Sequence, residues 1–318
     1  MKKTLCCLLL VAVALVAGAG KPRGRGRDVA SEARLSEVAM ADFTWISTDG
    51  NLTAAGSWSP SGPPAGADRI SFDSSSNVDV LTNLSGITAN LDRIWLQDTY
   101  EGNLGASNAP VVIKGRRIIH QGQGSFWHKF TEHATLGSQI VIDSSNQQDA
   151  YTLADGGVTS FTFNLYCVNG GTRILAAADN ITAIFVGSRN SVTLPNVTIE
   201  AGSGTVSAFR QSSGVVRTSK DLGLSGYGAA VDGGILIVES ACADNWASIE
   251  VNGGIVQFNG TGTVSELYVW SGTLDMTGDQ RAKTLPLLVL GPNASFLTHD
   301  NIVVTSMIDL RGKVPVLP

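Results

Sequence analysis

Carboxylates, histidines and a few basic side chains are the groups in this 318-residue chain with the means to do chemistry. Asp143, Asp155, Asp179, Asp232, Asp244 and Asp275, with Arg173 and Lys220, are of the types that polysaccharide cleavage uses. That chemistry requires paired acids about 5–10 Å apart, or acids that hold calcium beside a basic residue. These residues form no compact motif. Asp232 and Asn252 occupy matching turn positions, so turn formation accounts for both, and Asp244 with Glu250 reads as a solvated pair. His120, His128 and His133 fall in an irregular stretch, His299 is remote from them, and the His128–His133 spacing does not match a metalloprotease helix. The chain contains no phosphate-loop glycine pattern, no Gly-x-Ser-x-Gly nucleophile and no Cys–His arrangement that sequence proximity supports. No catalytic residue, metal ligand set or cofactor is therefore expected. For recognition, Phe126, Trp127 and His128, in the irregular passage 121–138, are the contact candidates, with a core-facing aromatic pair as the alternative.

Positioning such groups falls to a repeated corner. Val231-Asp232-Gly233-Gly234 precedes the run Ile235–Val238, Val251-Asn252-Gly253-Gly254 precedes Ile255–Phe258, and Trp270-Ser271-Gly272 precedes Thr273–Met276. Taking Gly170, Asn190, Gly214, Gly233, Gly253, Gly272 and Asn293 as equivalent corners gives steps of 20, 24, 19, 20, 19 and 21 residues. That is the period of a solenoid coil, and Gly and Asn are the residues that tolerate the left-handed backbone of a tight corner. A second β-type run lies midway in each repeat, as in Ala247–Val251 and Val264–Val269. Stacked coil on coil, such runs make parallel sheets around a narrow apolar bore. An antiparallel sandwich also offers many short strands, but not like corners at a regular step. The expectation is an all-β fold, a right-handed parallel β-helix.

The N-terminus reads as an export leader over residues 1–19: Met1-Lys2-Lys3, the apolar run 5–16, then the small residues Ala17-Gly18-Ala19. The apolar run is shorter than the roughly 20 residues that span a bilayer, which argues against a membrane anchor. Removing Lys2 and Lys3 with the leader leaves 20 basic groups against 27 acidic ones, a formal charge of −7. That sign speaks against a nucleic-acid partner, and the basic tether 21–27 has no interleaved aromatic residue for base stacking. Residues 20–42 read as a flexible linker. Cys167 and Cys242 are the cysteines left after cleavage, as a disulfide or as two buried thiols.

Phe43-Thr44-Trp45 opens the folded part, followed by Trp58-Ser59-Pro60 and by Gly66-Ala67-Asp68-Arg69-Ile70-Ser71-Phe72. This pattern resembles the entry segment of bacterial secreted β-solenoid proteins, including autotransporter-passenger-like repeat proteins. The resemblance implies an N-terminal cap over residues 43–72 ahead of a β-helix over 73–318. Trp45, Trp58 and Phe72 are then cap-packing residues, and Gly170, Gly214, Gly233, Gly253 and Gly272 are corner residues; a glycan platform of Trp45 and Trp58 is the alternative. The functional expectation is an exported, bacterial, secreted or cell-surface structural or adhesive protein. It would present an extended surface to a glycan or protein, with no membrane-spanning segment in the mature chain. A polysaccharide-active lyase or glycoside hydrolase is the second reading.

Overall fold

The computed structural model describes residues 40–106, 108–130, 138–142, 150–153, 161–166, 172–175, 181–187, 195–200, 205–222 and 228–312. The expected leader, the linker up to residue 39, Gly170, Cys167, His133, Asp143, Asp155 and Asp179 lie outside the described residues.

The described residues form a β-solenoid, all-β with a single three-residue 3-10 turn at Ala55–Ser57. One long parallel ladder begins with Asp42–Trp45, Arg69–Phe72, Asn90–Leu96, Lys114–His120 and Ser138–Ile142. It continues through Phe161–Tyr166, Ile181–Gly187, Phe209–Gln211, Ala229–Val231 and Trp246–Val251. It ends on the first halves of Val264–Asp275 and Lys283–Leu297, and on Ile302–Asp309. A second parallel ladder runs from His128–Phe130 through Ala150–Leu153, Thr172–Leu175, Asn196–Glu200, Val215–Thr218, Ile235–Val238 and Ile255–Phe258. The second halves of Val264–Asp275 and Lys283–Leu297 complete it. The pairing through 230–290 is parallel throughout, which excludes the sandwich.

Alternation along each strand sends every other side chain into the bore. In the long ladder Ile70, Ile94, Ile118 and Ile140 form one inward row, and Ile184, Phe209, Ala229, Ile249, Leu267 and Leu288 extend it. All are buried, and they belong to one continuous apolar core. Val216, Leu236, Val256 and Leu274 make the facing row on the second ladder. At the last strand the row reaches Met307, which is 56% exposed.

The corner column differs by one position from its sequence reading. Strand register aligns Gly214 with Gly234, Gly254 and Gly272, and these four carry φ of +81°, +79°, +71° and +83°. Gly233 and Gly253 each stand one residue earlier, without positive φ. A Cβ at Gly233 or Gly253 would meet the Ser212 or the Asp232 carbonyl, so both remain corner residues by close approach. Gln211, buried inside the bend, donates from Nε2 to the Gly214 carbonyl at 2.9 Å and the Ile235 carbonyl at 3.1 Å, tying one corner to the next.

Candidate functional site

The three contact candidates part company. Phe126 bridges to Leu104 and is fully buried, extending an inward column that begins at Val80. His128 is fully buried too and bridges to Val111. Only Trp127 is partly exposed. A ligand on the outer surface therefore meets neither Phe126 nor His128, a correction to the recognition role expected for both. The Leu104–Phe126 bridge stacks this part of the irregular passage on the preceding coil. His128 Nε2 lies 3.2 Å from the Ile113 carbonyl, which can only accept, so Nε2 carries the proton. Its Nδ1 faces His120 Nε2 at 3.5 Å, and His120 packs edge-on against Phe126 with centroids 5.1 Å apart. Burial presses both imidazoles toward the neutral form, His128 to about 4 and His120 well below the ordinary histidine range.

Trp45, Trp58 and Phe72 are also interior. Their ring centroids lie 5.1, 5.5 and 5.6 Å apart. Trp58 Nε1 donates to the Leu52 carbonyl at 2.9 Å and Trp45 Nε1 to the Val78 carbonyl at 3.2 Å. With both indoles at 0–1% exposure, neither presents a face to a glycan.

The candidate acids that fall on described residues are occupied with structure. Asp232 accepts from Arg210 and from Asn252 Nδ2 across adjacent corners. Partial burial alone would raise its pKa, but those two partners together hold it below the ordinary range. Asp244 accepts the Asp221 amide at 3.0 Å, and Asp275 accepts both donors of Thr277 at 2.9 and 2.7 Å. Glu250 accepts Trp270 Nε1 at 3.2 Å. Among the described residues no group of three or more His, Cys, Asp or Glu is placed to hold a metal ion. Cys242 is a buried free thiol. Lys220 is buried, and Arg173 keeps register with Ala150 and Thr198.

The outer face of the long ladder holds what the acids do not. Arg69-Ile70-Ser71-Phe72, Arg93-Ile94-Trp95-Leu96 and Arg117-Ile118-Ile119-His120 recur at intervals of 24 residues. Register pairs Arg69 with Arg93 and Arg93 with Arg117, and Ser71 with Trp95 and Trp95 with Ile119. The isoleucines after each arginine are buried, so alternation turns the arginines and Trp95 outward. Parallel stacking sets these rows about 4.8 Å apart. Arg93, Trp95, Arg117, Ile119, Gln121 and Val141 line a cleft of about 140 Å³. The Arg93 guanidinium stands 5.2 Å from the Trp95 ring centre, and Trp95 Nε1 donates to Gln121 Oε1 at 2.8 Å. The sequence reading missed this site. Its signal was the Arg-Ile pair recurring every 24 residues, which carries no glycine and so escapes a search based on corners.

A second outward feature follows further along the same column. Tyr268 and Trp270 lie nearly parallel, 19° apart with centroids 6.3 Å apart. The Tyr268 hydroxyl donates to Glu266 at 2.9 Å, and Trp270 is 40% exposed.

No known protein family matches the chain, and no curated protein or solved structure matches it. Among the described residues, no helix is long and apolar enough to cross a membrane.

Proposed function

We propose that this chain is an exported structural or adhesive β-solenoid that presents the outer face of its long ladder as an extended binding surface. The single observation behind this reading is the in-register outward column. It carries the arginine–tryptophan cleft at one level and the Tyr268–Trp270 pair at another, while Asp232 is engaged by Arg210 and Asn252, Asp244 by the Asp221 amide and Asp275 by Thr277. Long surfaces built from repeats suit extended contacts.

In this reading the leader-like residues 1–19 direct export to a bacterial cell surface or medium. The coils wind right-handed, and residues 43–72 close the N-terminal end around Trp45, Trp58 and Phe72. The likeness of that segment to secreted β-solenoid proteins supports the same picture. Partners are a surface glycan or protein.

The test is expression of the full chain and of a form lacking residues 1–19 in a bacterium, with fractionation. The purified protein is then assayed for adhesion to glycan- and protein-coated surfaces and for product release from polysaccharides. Export that depends on residues 1–19, with adhesion and no product release, supports the proposal. Steady release of unsaturated or reducing ends would instead establish the polysaccharide-active alternative.

A further inference from the structure

We propose that the Arg93–Trp95–Arg117–Gln121 cleft binds an anionic sugar residue, a uronate or a sulfated sugar, within an acidic polysaccharide. This rests on the binding-surface reading above and names the ligand class for one level of that surface.

Charge comes first. In-register stacking places Arg69, Arg93 and Arg117 directly beside one another, and like charges opposed across a ladder destabilise it. Asp42 relieves one end: it pairs with Arg69 at 2.8 Å and, at the long end of ion-pair range, with Arg93 at 3.9 Å, so one carboxylate serves two of the three arginines. Arg116 is taken by Asp92 at 2.6 Å. Among the described residues, no carboxylate lies within ion-pair range of Arg117, and Arg93 Nε is buried with no hydrogen-bond partner. A chain with a formal charge of −5 thus concentrates unbalanced positive charge at one concave spot. A planar or tetrahedral oxyanion set between the two guanidinium groups relieves their repulsion and meets their forked donors.

Shape and polarity then choose among anions. Trp95 is fixed by Gln121 on its indole edge and by Arg93 near its face, and with Ile119 and Val141, in register with it on the next two strands, it makes an apolar strip beside the cations. Such a strip suits the C–H face of a pyranose and offers nothing to free phosphate. Gln121 Oε1 accepts from Trp95, which leaves its amide N–H groups as donors for sugar hydroxyls. A peptide that binds by adding a strand needs a sheet edge. Here the ladder's backbone groups are already paired on both sides, and only a sheet face is offered.

The experiment is calorimetric titration of the full chain with alginate as polyuronate, dextran sulfate, neutral dextran and poly-glutamate. Arg117→Gln and Arg116→Gln remove the same charge from neighbouring residues, but only the first reaches the cleft; thermal melts check that both variants fold. The proposal expects alginate or dextran sulfate to bind and neutral dextran not to. Arg117→Gln should weaken that binding roughly tenfold, the scale of one charged hydrogen-bonded contact, with Arg116→Gln nearly unchanged. Whichever polymer binds more tightly assigns the anion as carboxylate or sulfate. Equal losses in the two variants, poly-glutamate binding as tightly as either glycan, or no binding of either acidic glycan would each overturn it. Adhesion that survives while the cleft binds nothing would reject this inference and leave the broader surface reading standing.

Discussion

His128 turns its Nδ1 toward His120 Nε2, 3.5 Å away, at a point of the bore where both rings are fully buried. A second proton on either ring would bring a charge into an apolar interior beside another imidazole. Stability therefore depends on keeping the pair neutral.

The sign follows from the two states. Unfolded histidine titrates near 6.5, while burial lowers His128 to about 4 and His120 well below the ordinary histidine range. The contribution is fully present above about pH 6.5 and is lost as pH falls toward 4, because the unfolded chain takes up protons that the folded one refuses. Urea midpoints measured at intervals from pH 8 to 4 should fall across that window. A His120→Gln/His128→Gln double variant should show a flatter profile. An unchanged slope in the variant would assign the pH dependence elsewhere.

Trp58→Ala should destabilise the fold by about 3–5 kcal/mol, the range for emptying a large aromatic site in a packed core. It removes ring contacts to Trp45 and Phe72 and leaves the Leu52 carbonyl without its donor. Chemical denaturation reads the loss. Glycan binding per folded molecule should not change, since the indole is 1% exposed.

Gly254→Ala should destabilise by more than about 1 kcal/mol, because an L-residue at φ +71° is strained and its Cβ would strike the Gly234 carbonyl. Gly56→Ala is the control. Nothing lies within 4 Å of a Cβ there and φ is not positive, so the melting temperature should stay within a degree or two, about the scale of a neutral surface change.

The side chain of Lys283 is 2% exposed, and its Nζ reaches Asp279 at 2.7 Å and the Gly260 carbonyl. Lys283→Met should cost on the order of 2–3 kcal/mol. That is less than for an isolated buried pair, because Arg281 remains at 2.7 Å to share the Asp279 charge. A melt of Lys283→Met beside Lys283→Met/Asp279→Asn measures it, and the double variant should recover part of the loss.

The corners were readable because parallel stacking imposes a local backbone requirement that few residues meet. Gly214 and Gly272 announce it by type alone. In the double glycines, Gly233-Gly234 and Gly253-Gly254, composition could not say which residue turns left-handed; register with Gly214 decides for the second. For Trp45, Trp58 and Phe72 the resemblance of the entry segment implies packing residues, and their rings meet in the interior. Phe126 and His128 misled because their burial is made by Leu104 and Val111, more than a dozen residues away in the chain. The cleft was hidden for a related reason: Arg93 and Arg117 become neighbours only once two coils are stacked.

One rung of the long ladder follows another without a break from Trp95 to Tyr268, through Ile119, Val141, Asn164, Phe185, Arg210, Ala230 and Glu250. Eight rungs at about 4.8 Å make about 38 Å between the two aromatic levels. The backbone thereby acts as a graduated ruler. A polymer touching both levels must match that length and, because all the strands point one way, must also lie in one sense. Excising a single coil would move the marks closer by one graduation, and polymers would be sorted by length as well as by charge.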